Sequence, residues 1–186
     1  VTVNPAGSGF PTRVNINSGD DDDVFSVNLL AGVVTQINVD GGEPSASDSL
    51  VVNGTPDADV IAVDGLRVSF DSTVIRLTAI ENLTVAGGEG DDTMTLTGNT
   101  VSESVHLLGE GGEDNVGLAY PLSTGAVTAD GGAGAANSLA VTLTDDDEVV
   151  ALDEDSIAID GKVSPQYLHF ASLSLDTLGG ADAVSV

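Results

Sequence analysis

The sequence predicts an all-β chain wound as a right-handed parallel β-helix or β-roll-like solenoid of about eight coils of 22–24 residues. Three observations carry that prediction. Apolar segments recur at a fixed interval, many of them alternate apolar and polar residues, and short clusters of Gly and Asp separate them.

Repetition runs at two levels. The stretch Asp48-Ser-Leu-Val-Val-Asn-Gly-Thr-Pro-Asp-Ala-Asp-Val-Ile-Ala-Val63 matches Asn137-Ser-Leu-Ala-Val-Thr-Leu-Thr-Asp-Asp-Asp-Glu-Val-Val-Ala-Leu152, 89 positions later. Leu83-Thr-Val85 matches Leu173-Ser-Leu175 at an offset of 90, and Asp23-Val-Phe25 matches Asp114-Asn-Val116 at 91. These offsets divide the chain into two units, 1–93 and 94–186, of four coils each in one continuous rod.

Beneath the long repeat lies a shorter beat. One set of strand centres falls at Val14, Ile37, Val60, Leu83, Val105, Val127, Val149 and Leu173, spaced by 22 to 24 residues. A second set falls at Phe25, Leu50, Val68, Met94, Val116, Leu139, Ile157 and Val184. Segments such as Val14-Asn-Ile16, Thr93-Met-Thr-Leu96 and Ser156-Ile-Ala-Ile159 bury one face of a strand, and no window carries a helical stripe. One column of turns is expected at 18–23, 41–48, 87–92, 109–114, 131–137 and 177–182, and another at 29–33, 54–59, 98–103, 119–124 and 143–148. Handedness follows from the crossover rule. A β-sandwich is the alternative, since its hairpins place strands at a similar spacing. Val184-Ser-Val186 and Val1-Thr-Val3 both align with Met94-Thr-Leu96, which suggests a window on a longer array or a subunit that stacks end to end.

Composition narrows the function. Thirty acidic against four basic residues, a net charge of −26, disfavour nucleic acid and anionic lipid as partners. An acidic disordered tail is disfavoured in turn by the 41% hydrophobic content, rich in Val, Leu, Ile and Ala. Aromatics reach only 3%, as suits a slender core of small aliphatic side chains. Cys is absent, so disulfides and thiolate metal sites are excluded, and no apolar run is long enough to span a membrane.

The chemistry lies in the turns. Gly87-Gly-Glu-Gly-Asp-Asp92-Thr-Met-Thr95 fits G-G-x-G-x-D-x-U-x at every specified position. Gly109-Glu-Gly-Gly-Glu-Asp114-Asn-Val116 is a near match, with Glu110 in the second Gly place. Ser18-Gly-Asp-Asp-Asp-Asp23 keeps the final acid, Leu178-Gly-Gly-Ala-Asp182 keeps the later half, and Gly54-Thr-Pro-Asp57-Ala-Asp59 is a Gly-poor form. Gly131-Gly-Ala-Gly134 has the glycines, but Asn137 arrives one place late. These turns resemble the hemolysin-type (RTX) calcium-binding nonapeptide of secreted bacterial repeat proteins. The resemblance implies Asp92 as a Ca²⁺ ligand together with backbone oxygens of Gly87 and Glu89. Extended to the other turns, the candidate set adds Asp91, Gly109, Gly111, Asp114, Asp21, Asp23, Asp57, Asp59 and Asp182.

Independently of the resemblance, stacked acidic turns repel one another unless a cation lies between them, and calcium accepts six to eight carboxylate and carbonyl oxygens. A solvated acidic coat is the competing explanation, and for Asp145 to Glu148, which lack nearby glycines, it is the favoured one. No catalytic constellation is evident. His106 and His169 are isolated, and Arg13, Arg67, Arg76 and Lys162 form no pair with them. The expected role is therefore non-enzymatic: an extracellular structural or adhesive repeat, secreted or at the cell surface, rigidified by calcium. Its partners would be neighbouring copies in a filament, or an extracellular polysaccharide or cell surface. A carbohydrate-binding or carbohydrate-active module and a calcium-dependent secretion module of a larger enzyme are the alternatives.

Overall fold

The computed structural model describes residues 1–6, 9–43, 47–98, 102–122 and 125–186. Parts of the expected turns at 41–48, 98–103 and 119–124 lie outside the described residues. Among the described residues nineteen strands follow one another: β1 (Thr2–Val3), β2 (Arg13–Asn17), β3 (Val24–Asn28), β4 (Thr35–Asp40), β5 (Ser49–Asn53), β6 (Val60–Asp64), β7 (Arg67–Phe70), β8 (Thr73–Thr78) and β9 (Asn82–Glu89). The second half continues with β10 (Thr93–Thr97), β11 (Ser104–Gly111), β12 (Asn115–Ala119), β13 (Ala126–Asp130), β14 (Ser138–Thr142), β15 (Val149–Leu152), β16 (Ile157–Ile159), β17 (Gln166–Leu168), β18 (Ser172–Asp176) and β19 (Ala183–Ser185).

The chain is all-β and its sheets are mainly parallel. One sheet has the order β1-β3-β5-β9-β11-β13-β17, and a second the order β2-β4-β8-β7-β6-β10-β12-β14-β18. A short third sheet, β16-β15-β19, touches the first through an isolated bridge between Ser156 and Gln166. Among the described residues only β6–β7, β7–β8, β15–β16 and that bridge are antiparallel. An antiparallel sandwich is not how these strands pair.

Most consecutive strands alternate between the two large sheets. Alternation within each strand then decides what is buried. Phe25, Leu50, Leu83 and Leu107 of the first sheet and Ile37, Ile61, Ile75, Met94, Leu118 and Leu139 of the second are all nearly inaccessible and belong to one cluster. Each such side chain contributes on the order of 1.5–3 kcal/mol by leaving water. Polar side chains on the outward faces stack in register, as where the Asn53 side chain donates to Asn28 at 2.7 Å and Asn38 to Asn15 at 2.5 Å.

Parallel partners lie 22 to 25 residues apart along most of the chain, in keeping with the sequence beat. At two places the separation grows to between 33 and 38 residues. The cause in the first half is a meander: β6, β7 and β8 run back and forth within one sheet before the chain crosses again. Val68, expected as an ordinary strand of the repeating coil, is therefore the antiparallel middle of a meander. Ile37 does not neighbour Val60 but Ile75, and Leu83 lies beside Leu50. The meander inserts about as many residues as one strand and turn, so the sequence beat continues through it while the sheets change over.

The parallel pairings β1–β3, β2–β4, β3–β5, β4–β8 and β5–β9 of the first unit recur in the second with the two large sheets exchanged, while the counterparts of β6–β7 and β6–β10 form the third sheet and that of β7–β8 is the isolated bridge. β3–β5 lies in the first sheet and its counterpart β12–β14 in the second, while β4–β8 lies in the second and β13–β17 in the first. The hairpin β15–β16 repeats β6–β7, and β19 pairs with β15 as β10 pairs with β6.

Candidate metal centre

A single position recurs throughout the turns: the residue immediately before a strand. Asp23, Asp48, Asp59, Glu81, Asp92, Asp114, Asn137, Glu148 and Asp182 all occupy it. Parallel stacking links them, because the backbone N–H of one donates to the side-chain oxygen of the next. Asp59 donates to Asp92 Oδ1 at 2.8 Å, Asp92 to Asp114 Oδ1 at 2.9 Å, and Asp114 to Asn137 Oδ1 at 2.8 Å. Asp23 donates to Asp48 Oδ1 at 2.7 Å, Asp48 to Glu81 Oε2 at 2.9 Å, and Glu148 to Asp182 Oδ1 at 3.0 Å. A hydrogen bond from a main-chain amide to a carboxylate is among the stronger ones in proteins. These links fix the register of neighbouring turns.

Each linking carboxylate has a second oxygen, and in several turns that oxygen has no donor. Asp48 Oδ2, Asp92 Oδ2, Asp114 Oδ2 and Glu148 Oε2 are buried without a hydrogen-bond partner. Glycine makes room for the first three. A Cβ on Gly87 would lie 2.2 Å from Asp92 Oδ2 and 3.0 Å from the Gly109 carbonyl oxygen. On Gly109 it would lie 2.3 Å from Asp114 Oδ2 and 2.5 Å from the Gly131 carbonyl. Carboxylate and carbonyl oxygens thus converge on one small space, an arrangement that calls for a cation or a proton.

Asn137 shows what such a space accepts. Its Nδ2 donates to the carbonyls of Gly131 at 2.6 Å, Gly134 at 3.2 Å and His169 at 3.2 Å. An amide nitrogen here supplies the positive end of a dipole, where Asp92 and Asp114 present bare oxygens.

No family model, curated protein or solved structure matches the chain. The turns are therefore read from their own geometry.

That geometry sorts the candidates. Asp92 and Asp114 are buried, each with an orphan oxygen beside Gly87 and Gly109. Glu110 takes φ +70 opposite Gly88 at +106, so the imperfect motif keeps the same bend. Asp91 is exposed, and its Oδ1 accepts from the N–H of Glu113 at 2.9 Å. Glu89 is exposed beside Gly111. Asp21 and Asp57 are exposed, while Asp23 and Asp182 are half-buried. Asp59 is buried but satisfied, accepting from the Thr55 N–H at 2.6 Å and the Thr55 hydroxyl at 2.9 Å. Among the described residues no three His, Asp or Glu side chains converge closely enough to hold a metal by themselves. Any ion in these turns would rely on carbonyl oxygens for the remainder of its shell.

Two expectations about the turns need correction. Turn 54–59 stacks under 87–92, and turn 143–148 against 177–182, so both belong to the acidic column and not to the other one. The meander again explains the misplacement, since it shifts the strand beat from one sheet to the other. Asp145, Asp146 and Asp147 are solvent-exposed as expected, but Glu148 is only 2% exposed and pairs with Lys162 at 3.2 Å. The nonapeptide pattern does not mark Asp48, whose turn lacks its spacing. The 89-residue match of Asp48 with Asn137 was the signal that could have found it.

Burial pushes the Asp92 carboxyl up to about 6, with the charges of Asp114, Asp59 and Asp91 adding and the Asp59 N–H opposing. Burial also raises Asp114, with Asp91 and Glu113 adding and the Asp92 N–H opposing. Asp182, by contrast, is held below the ordinary carboxyl range by the Glu148 N–H and by the Thr177 side chain.

Proposed function

We propose that the chain is a segment of a right-handed parallel β-solenoid whose stacked turns bind calcium. In this reading it acts as a non-enzymatic structural or adhesive module of a secreted or cell-surface repeat protein. The observation that carries it is the pair of buried, donor-free carboxylate oxygens of Asp92 and Asp114, each facing a carbonyl across a glycine. Strands that alternate between two sheets and pair in parallel about one coil apart support the solenoid.

Calcium suits these turns better than smaller or softer ions. It tolerates irregular shells of carboxylate and carbonyl oxygen, whereas magnesium demands a compact octahedron and keeps its waters. Asp92 and Asp114, with the carbonyls of Gly109 and Gly131, would hold it. A bound ion neutralises the repulsion between stacked acids, so the folded form gains stability by mass action wherever calcium is abundant. Sites of this kind match the millimolar calcium of extracellular spaces. Such a module would stiffen an array, with neighbouring copies, a polysaccharide or a cell surface as partners. None of the six aromatic side chains is exposed, which weighs against the carbohydrate-stacking alternative.

The test is thermal denaturation followed by circular dichroism, first in chelator and then across calcium and magnesium titrations. A midpoint that climbs with calcium and barely responds to equal magnesium supports the reading. An identical midpoint in chelator and in calcium removes the metal sites and leaves the architecture alone.

A further inference from the structure

We infer that the turn ending at Asp48 holds a further cation site, of the same hard, oxygen-preferring class, at a place that the nonapeptide motif does not mark. The inference rests on the proposed calcium reading and extends it to a turn of different sequence.

Asp48 is 1% exposed and precedes β5. Its Oδ1 accepts from the Asp23 N–H at 2.7 Å, but Oδ2 has no donor. A Cβ on Gly41 would lie 2.4 Å from that Oδ2 and 2.1 Å from the carbonyl oxygen of Ala79. The two oxygens converge on the gap that the glycine leaves open. Glu81, whose Oε2 accepts from the Asp48 N–H at 2.9 Å, brings a second carboxylate alongside.

The second unit contains the corresponding turn, one residue shorter, with an amide in place of the carboxylate. Asn137 stands where Asp48 stands, Gly131 where Gly41 stands, and His169 where Ala79 stands, with Ala79 and His169 sharing a left-handed backbone at φ +47 and +59. There Asn137 Nδ2 donates to the Gly131 and His169 carbonyls at 2.6 and 3.2 Å. In the first unit an oxygen replaces that nitrogen while the carbonyl opposite remains. Two acceptors in a buried space need a positive group between them. A cation supplies at Asp48 what the amide supplies at Asn137. The second unit is thereby self-sufficient at this turn, and the first depends on an ion.

The experiment compares the parent chain with Asp48→Asn, Asn137→Asp and Asp92→Asn by equilibrium dialysis against calcium and by melting in chelator. The inference expects Asp48→Asn to bind one equivalent less and to melt above the parent in chelator. It expects the converse change, Asn137→Asp, to bind one equivalent more. Should Asp92→Asn lose an equivalent while Asp48→Asn and Asn137→Asp leave the stoichiometry unchanged, the Asp48 site is overturned and the calcium reading survives. A parent that binds no calcium overturns both. A Asp48→Asn chain that melts higher in chelator with unchanged calcium binding assigns the position to a proton and also overturns the site.

Discussion

Replacing Asp92 by Asn changes one atom at the centre of the acidic column. Oδ1 stays to accept the Asp59 N–H, now at 2.8 Å, while an NH₂ takes the place of the orphan Oδ2 beside Gly87 and the Gly109 carbonyl. The carboxyl titrates near 6 in the folded chain against an ordinary value of 3.8. That difference corresponds to about 3 kcal/mol of destabilisation by the charged form. Because the folded value is the raised one, the native state holds its proton to higher pH than the unfolded chain. The cost is fully present above about pH 6 and fades as pH falls toward 3.8. For a chain of 186 residues each kcal/mol moves the melting midpoint by about 2–4 °C, so Asp92→Asn should melt about 6–12 °C above the parent at pH 7.5 in chelator. Circular dichroism melts at pH 7.5, 6 and 4, with and without calcium, check it. The gap should close toward pH 4, and saturating calcium should narrow it by stabilising the parent more than the variant. A variant that melts below the parent in chelator at pH 7.5, or a gap that ignores pH, refutes the view that the second oxygen lacks a partner.

Further expectations concern the turns and the core. Gly112→Ala places a Cβ 1.9 Å from the Gly90 carbonyl at φ +121 and should cost more than about 3 kcal/mol in urea denaturation. Gly161→Ala, at φ +70 with open space around it, should cost only about 1–2 kcal/mol. Thr55→Val removes the hydroxyl that serves Asp59 Oδ1 at 2.9 Å and leaves a buried oxygen bare. It should cost about 1–3 kcal/mol in chelator, with calcium restoring more to the variant than it adds to the parent. Leu107→Ala, in a fully buried position, should cost about 2–5 kcal/mol without changing the number of calcium ions bound in dialysis.

Strand positions were legible because alternation is written residue by residue: Phe25, Val27, Leu50 and Val52 face the core as their spacing requires. Sheet membership was not. Val60 and Leu83 keep the beat with Ile37, yet neither pairs with its strand, since periodicity records distance along the chain and not its direction of travel. The nonapeptide pattern led directly to Asp92 and Asp114. It also drew in Asp91 and Asp57, because a motif cannot tell an inward carboxylate from an outward one. Asp59 looked equivalent to Asp92, and only the position of Thr55 shows that its oxygens are already occupied. The carbonyls of Ala79 and His169 carry no sequence signature at all, since any residue provides one.

The exchange of sheets between units has a mechanical meaning. Within one unit the meander gives one side of the molecule two strands that the other side lacks, a difference of about 10 Å at the usual strand spacing. The meander thus lengthens one large sheet and not the other. In the second unit the matching hairpin, β15–β16, forms a third sheet bridged to the first at Ser156 and Gln166, so the extra strands of the two units join different sheets. Duplicating or deleting a single unit would therefore move the strands of every later unit to the other sheet.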